Sequence, residues 1–364
     1  MTRVFDNRPA VRERTPLLLG LVGPSGTGKT MSSLRLATGI QRVTGGKIYM
    51  IDSEARRSLH YAPDKGTPAN PAKGKFDFEI VPFGAPFSPL DYLAAIEHCV
   101  KSGAKVIIVD SMSHEHEGPG GVLEMHDMET KRLAKQWRVS EDVAKMSAWG
   151  KPKAERRRMI NSILQMDAHF IFCFRAKPKL KIVKGKTPEP RGYMPLAGEE
   201  FVYEQTARFL LLPGSDGRPA LSSTFEGERE IIKIPAQFRD LFSRPGEQLS
   251  ESLGVLMAQW AAGSEAPEPM TAAELQRGYE ACSDSATFRV LEGSRGVMWS
   301  KASKDEKAAL KTAADAATKR IEDANAAALP RDADVDDDGV VRGSEPEAPL
   351  AATGTDDPEP GANG

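Results

Sequence analysis

Eight consecutive residues, Gly23-Pro24-Ser25-Gly26-Thr27-Gly28-Lys29-Thr30, follow the apolar run TPLLLGLVG and precede a stretch with helical spacing. Glycines permit a tight loop whose N–H groups turn inward. The N-terminus of the helix that follows adds the positive end of its dipole. Both features favour a chain of phosphates. The pattern is GxxxxGK followed by Ser or Thr, in the strand–loop–helix setting that it requires. It predicts ATP and Mg²⁺ as ligands: the loop cradles the phosphates, Lys29 reaches the β- and γ-phosphates, and the Thr30 hydroxyl ligates the metal. A second acid fits the same chemistry. The apolar run KVIIVD ends in Asp110, and a carboxylate at the tip of a buried strand holds Mg²⁺ directly or through water.

Hydrolysis further needs a group that orients or deprotonates water. Glu54, after the strand-like IYMID, is one candidate; Glu115 and Glu117, just beyond Asp110 in SMSHEHEG, are others. Glu54 is preferred, because a carboxylate at a neighbouring strand tip can face the γ-phosphate. Basic residues form a second theme. In RAKPKLKIVKGKTPEPR (175–191), Arg175, Lys177, Lys179, Lys181, Lys184, Lys186 and Arg191 are cationic and only Glu189 is acidic. Arg175, nearest a strand end, is suited to sensing the γ-phosphate or stabilising charge in the transition state. The lysines, on a Gly/Pro-broken loop, suit either a DNA backbone or plain solvation. Lys151, Lys153 and Arg156 to Arg158 lie upstream beside Trp149. One or two of these can bind phosphate, and Trp149 suits core packing better than base stacking. His114, His116 and His126 make a weak metal pattern; His114 fits better as part of a loop near the γ-phosphate.

GPSGTGKT, IDSE with its glutamate 25 positions after Lys29, and VIIVDS together resemble the RecA-type recombinase core. The longer segments IDSEARRSLHYA, VDSMSHEHEGPGGVLE, WGKPKAERRRMINSIL and FIFCFRAKPK are similar to phage-encoded RecA-like ATPases, some of which act in single-strand annealing and recombination. The resemblance spans about residues 15–245. It implies Glu54 as catalytic base, Asp110 as metal support, and a DNA-holding role for the loop after Arg175. Where the recombinases carry a glutamine sensor, this chain has Phe174-Arg175.

The elements that must position these groups follow from hydrophobic patterning. TPLLLGLVG, GKIYMID, KVIIVD and HFIFCFR are continuous apolar runs, as in strands covered on both faces of a parallel sheet. Helices are expected near 28–42, 88–101, 121–136 and 154–167. The alternation predicts an α/β fold, a RecA-like P-loop NTPase core with a mainly parallel sheet flanked by helices. Residues 201–235, with FVYEQTARFLLLPG, RPALSSTFEG and REIIKIP, are expected to extend the sheet with antiparallel strands. The organisation expected is a flexible stretch 1–14, the core 15–262, a linker 263–269, a small helical domain 270–328 and a disordered acidic tail 329–364. From Arg331 onward there are 10 acidic and 2 basic residues, and Asp334, Asp336, Asp338, Gly339 and Glu345 match a calcium-loop spacing, but without a helix to follow.

Over the 364 residues, 49 Lys and Arg balance 51 Asp and Glu, so net charge selects no partner class. The 3 cysteines Cys99, Cys173 and Cys282 make no paired motif, which argues against a disulfide framework or a Cys-zinc site and for a reducing cytosol. The apolar runs are too short to span a bilayer. These features together predict a cytoplasmic ATPase, in a bacterial host cytosol, acting on single-stranded DNA in recombination, repair or annealing. Homo-oligomers and single-strand-binding or replication proteins are possible partners, and no membrane is. A P-loop small-molecule kinase, with Arg156 to Arg158 as lid, and a nucleotide-gated adaptor are the alternatives.

Overall fold

The computed structural model describes residues 7–181, 189–239, 248–263, 270–283 and 302–328, with a few single positions between them. Lys184, Lys186, residues 1–6 and 264–269, and the acidic tail from 329 lie outside the described residues.

The central strands are β1 (Leu18–Gly23), β2 (Lys47–Asp52), β3 (Glu79–Pro82), β4 (Ala104–Asp110) and β5 (His169–Lys181), with β7 (Ala207–Leu211) later in the chain. They pair in parallel. The antiparallel β8 (Pro219–Ala220) closes one edge, giving the order β3-β2-β4-β5-β1-β7-β8. Thus β5 lies between β1 and β4, and their parallel ladders finish on the same side, where Gly23, Arg175 and Asp110 lie. The sheet is an α/β arrangement covered on both faces, so every residue of β1 is buried.

Alternation along each strand splits the interior into two cores. Leu19, Leu21, Met50 and Ile108 face α1 (Lys29–Thr44) and α10 (Glu251–Ala261), with Leu34, Ile40, Leu253 and Met257. Tyr49, Ile51, Ile107 and Phe172 face α2 (Pro89–Lys101) and α6 (Gly150–Ile163), with Leu93, Ile96, Met159 and Ile163. Each such large apolar side chain contributes about 1.5–3 kcal/mol on burial. The two helices α1 and α10 touch backbone to backbone. A Cβ on Gly39 would lie 1.9 Å from the Glu251 carbonyl, and one on Gly254 2.3 Å from that of Leu36. Glycine on both sides lets α10 lie close against the helix that the phosphate loop opens.

Helices α1, α2, α4 (Val122–Trp137) and α6 answer the four expected ones. Short helices α3 (Ser113–Glu117) and α5 (Glu141–Ala148) carry too few turns for a clear period. Two expectations are corrected. The described part of the basic stretch is a ribbon, because β5 runs on through Lys177 and Lys179 to Lys181 and pairs antiparallel with β6 (Glu189–Pro195). Pro178 and Pro190 sit on this two-stranded extension, where a missing ladder donor is tolerated. Residues 201–235 are also mostly not antiparallel strands. FVY lies in α7 (Glu199–Tyr203), β7 runs parallel to β1, and most of REIIKIP falls in or beside α8 (Glu226–Ile231). Buried apolar runs of this length fit either state, and tertiary packing decides.

After the short α9 (Ala236–Arg239) and α10, helices α11 (Ala272–Ala281) and α12 (Lys304–Ala328) share their own core of Leu275, Tyr279, Leu310, Ala317 and Ile321. Thr271 and Glu274 form a capping box at the start of α11. No helix is long and apolar enough to cross a membrane among the described residues. Cys99, Cys173 and Cys282 are all buried.

Candidate nucleotide site

The phosphate loop is already formed. Gly26 and Gly28 have φ of 79° and 85°, a region open to glycine at little cost, and the Thr27 hydroxyl donates to the Pro24 carbonyl at 3.0 Å. A Cβ on Gly23 would meet the Leu211 carbonyl at 2.3 Å, so the loop leaves the sheet tight against β7. Lys29 folds back and donates from Nζ to the carbonyls of Gly23 (2.9 Å) and Pro24 (2.7 Å). Burial lowers its pKa. The ammonium is thereby held over the mouth of the loop by two neutral acceptors, which an anionic phosphate can replace with a stronger, charge-assisted bond.

On the adjoining flank, the Thr30 hydroxyl donates to Asp110 Oδ2 at 2.6 Å. Asp110 is buried, and desolvation pushes its pKa up to about 6, against the opposing Thr30 bond. A carboxylate stripped of water beside a hydroxyl is the hard oxygen pair that Mg²⁺ takes, with phosphate oxygens and water completing its shell. The two residues therefore fit the implied metal. Among the described residues, no group of three or more His, Cys, Asp and Glu could hold a metal by itself.

Glu54 and Arg175 are brought together. Arg175 Nε and one terminal nitrogen donate to the two carboxylate oxygens of Glu54 at 2.8 and 2.6 Å, and this bonding raises the arginine pKa. Glu54 is placed by the turn after β2, where Asp52 accepts from the backbone N–H of Glu54 (2.7 Å), Arg56 (3.2 Å) and Ser58 (3.0 Å). A polar web underlies the pair. The Ser53 hydroxyl donates to the Ser111 carbonyl (3.0 Å), accepts from Ser111 N (2.8 Å) and lies 2.8 Å from His114 Nδ1. Tyr92 donates to the same carbonyl at 2.8 Å, and Phe87 stacks on His114 at 5.0 Å. Burial, with Arg175 nearby, lowers the His114 pKa. Ser53, Ser111, Tyr92 and Asp52 escaped the sequence reading. Their signal was the Asp-Ser pair repeated at the tips of two strands, Asp52-Ser53 and Asp110-Ser111, which the sheet sets side by side.

Other candidates are engaged elsewhere. Glu115 is buried and takes a two-pronged ion pair from Arg156, at 2.9 and 2.8 Å. The same guanidinium touches His116 (3.1 Å) and Glu200 (3.6 Å), so Arg156 is buried in contacts within the fold. Trp149 stacks on His126 at 4.0 Å and so packs rather than offering a face to a base. His114, His116 and His126 thus serve three separate contacts. In the ribbon, Lys177 and Lys179 are exposed, and Arg191 pairs with Glu189 at 3.5 Å.

Residues 15–203, more than half of the chain, match a family described as AAA domain. No curated protein matches the chain.

Proposed function

The chain belongs to this AAA-domain family of P-loop ATPases, and from that premise we propose that it hydrolyses ATP in a RecA-like manner and couples this to single-stranded DNA during recombination, repair or annealing. The observation that carries the nucleotide half is the bond of 2.6 Å from Thr30 to Asp110 beneath a preformed loop. It joins the two oxygens that a phosphate-bound Mg²⁺ needs. The metal, when bound, neutralises charge on the phosphate oxygens.

The protein's own groups do the rest. Gly23 to Thr30 bind and orient the phosphates through backbone N–H groups. Lys29 leaves the Gly23 and Pro24 carbonyls for the β- and γ-phosphates. Arg175 turns its guanidinium from Glu54 to the γ-phosphate, and the freed Glu54 carboxylate accepts the proton of the attacking water. The exposed Lys177 and Lys179, two apart on one strand, lie on one face of the ribbon and track a DNA backbone. The ribbon grows from the strand that carries Arg175, which supports coupling between DNA contact and hydrolysis. Lys181, Lys184, Lys186 and Arg191 complete the proposed DNA contact, and copies of the chain assemble on the strand.

The test is ATP binding and phosphate release with and without single-stranded DNA at two salt concentrations. Lys29→Ala is expected to lose ATP binding. Joint substitution of Lys177 and Lys179 by Ala is expected to weaken DNA binding and flatten its salt dependence. Unchanged DNA affinity and salt slope would remove the DNA half of the proposal. The Glu54–Arg175 pair also favours one other reading, a nucleotide-gated adaptor whose base stays masked; turnover near zero in both the parent and Glu54→Gln selects it.

A further inference from the structure

We infer that the loop after β7, residues 212–218, reads the nucleoside of a bound ribonucleoside triphosphate, with Asp216 and Arg218 as the selecting side chains; this rests on the ATP site proposed above. The sheet order sets two flanks around the phosphate loop. Asp110, Glu54 and Arg175 stand on the side of β5, β4 and β2, while β7 pairs with the opposite edge of β1. With the terminal phosphate drawn to the acidic and metal-binding flank, the nucleoside end points to the β7 side.

The 212–218 loop is packed on the cradle there. A Cβ on Gly28 would lie 3.3 Å from Gly217 N, and one on Gly217 3.0 Å from Ser32 Oγ. It is also held in advance of any ligand. Gln248 Nε2 donates to the Asp216 carbonyl (2.7 Å) and Leu249 N to that of Gly217 (3.0 Å). Arg35, on the helix that the cradle opens, donates in turn to Gln248 Oε1 at 3.0 Å. Loop, cradle and α1 are therefore joined in one rim. On that rim Asp216 and Arg218 approach to 3.7 Å, their side chains 80% and 47% exposed. Asp216 Oδ2 also accepts from Gln248 Nε2 at 3.3 Å, which leaves Oδ1 as an acceptor for a ribose hydroxyl, and a guanidinium offers a plane to the base. Phosphates carry no information about the nucleoside, so selection has to come from groups placed like these.

Asp216 has φ of 51°, which asparagine tolerates, so Asp216→Asn removes the charge and keeps the backbone. Dissociation constants of the full-length chain would be measured for ATP, 2′,3′-dideoxy-ATP and tripolyphosphate. The parent is expected to prefer ATP to both others. Asp216→Asn is expected to weaken ATP about tenfold, abolish the preference over the dideoxy compound and leave tripolyphosphate unchanged, and Arg218→Ala to weaken ATP selectively. If both variants bind ATP as the parent does, the loop has no such role, whereas the phosphate cradle stands as long as Lys29→Ala loses ATP and tripolyphosphate. A parent that binds neither compound removes the cradle and this inference together.

Discussion

The carboxylate proposed to activate water is already spoken for. Glu54 gives both oxygens to Arg175 and stands 3.8 Å from Arg57. With both oxygens held in this way the base is occupied, so its release has to be linked to nucleotide. Glu54→Gln, which retains the shape but cannot take a proton, is expected to slow turnover by a factor on the order of 10² or more with ATP affinity nearly unchanged. Steady-state phosphate release beside a binding titration checks it, and equal losses in both would mean that Glu54 serves binding only. A second residue contributes to acid sensitivity, along with His116, whose pKa burial also lowers to about 4. His169 is buried, its Nδ1 accepts from Leu17 N at 3.1 Å, and burial lowers its pKa to about 4. Protonation thus favours the unfolded chain. The contribution is complete above the ordinary histidine range near 6.5 and is lost as pH falls towards 4. It amounts to about 3 kcal/mol. Urea melts between pH 7 and 4 should show the fall, and His169→Asn should flatten it. The sequence revealed these residues unevenly. The phosphate loop is local, eight neighbours whose spacing alone states the chemistry. The partner of Glu54 lies 121 positions away, and the sequence suggests for Arg175 only a phosphate sensor or a group that stabilises transition-state charge.

Among the elements, the β5–β6 ribbon depends on one buried acid. Glu228, on α8, accepts from Tyr193 N at 3.0 Å and from the Ser223 hydroxyl at 2.6 Å. Beside it, Gly192 has φ of 81°, and a Cβ there would lie 2.6 Å from the same carboxylate. The register of the ribbon shifts at this point, so the carboxylate serves a backbone N–H where the ladder is irregular. Glu228→Ala leaves that part-buried N–H without its acceptor, at about 1 kcal/mol. Faster amide exchange across 189–195 is expected, with weaker DNA binding and unchanged ATP binding. Protection equal to the parent's would show that the ribbon holds itself. The central strands and the four longer helices were legible because their periods are long and continuous. The ribbon was not, since Gly and Pro at a short, exposed extension give the same signal as a loop. The helix α8 was hidden for the opposite reason, being too brief to show a period.

For the molecule as a whole, the packing is divided in two. The cores on the two sheet faces draw on residues from Leu17 to Ala261, while α11 and α12 bury a third cluster made only of residues from Leu275 to Ile321. Every group placed in the nucleotide site comes from the first set. A chain ending at residue 263 keeps α10 against α1, and with it the close Gly39–Gly254 contact that braces the phosphate loop. Such a chain is expected to bind ATP within about twofold of the full-length protein and to melt in a single cooperative step. One ending at residue 249 removes α10, uncovers Leu34 and Ile40, and is expected to lose ATP binding through loss of fold. Calorimetry and ATP titration on the two truncations separate these outcomes. If the first loses nucleotide affinity, the C-terminal helices take part in the site, and the division of the cores does not mark a division of function.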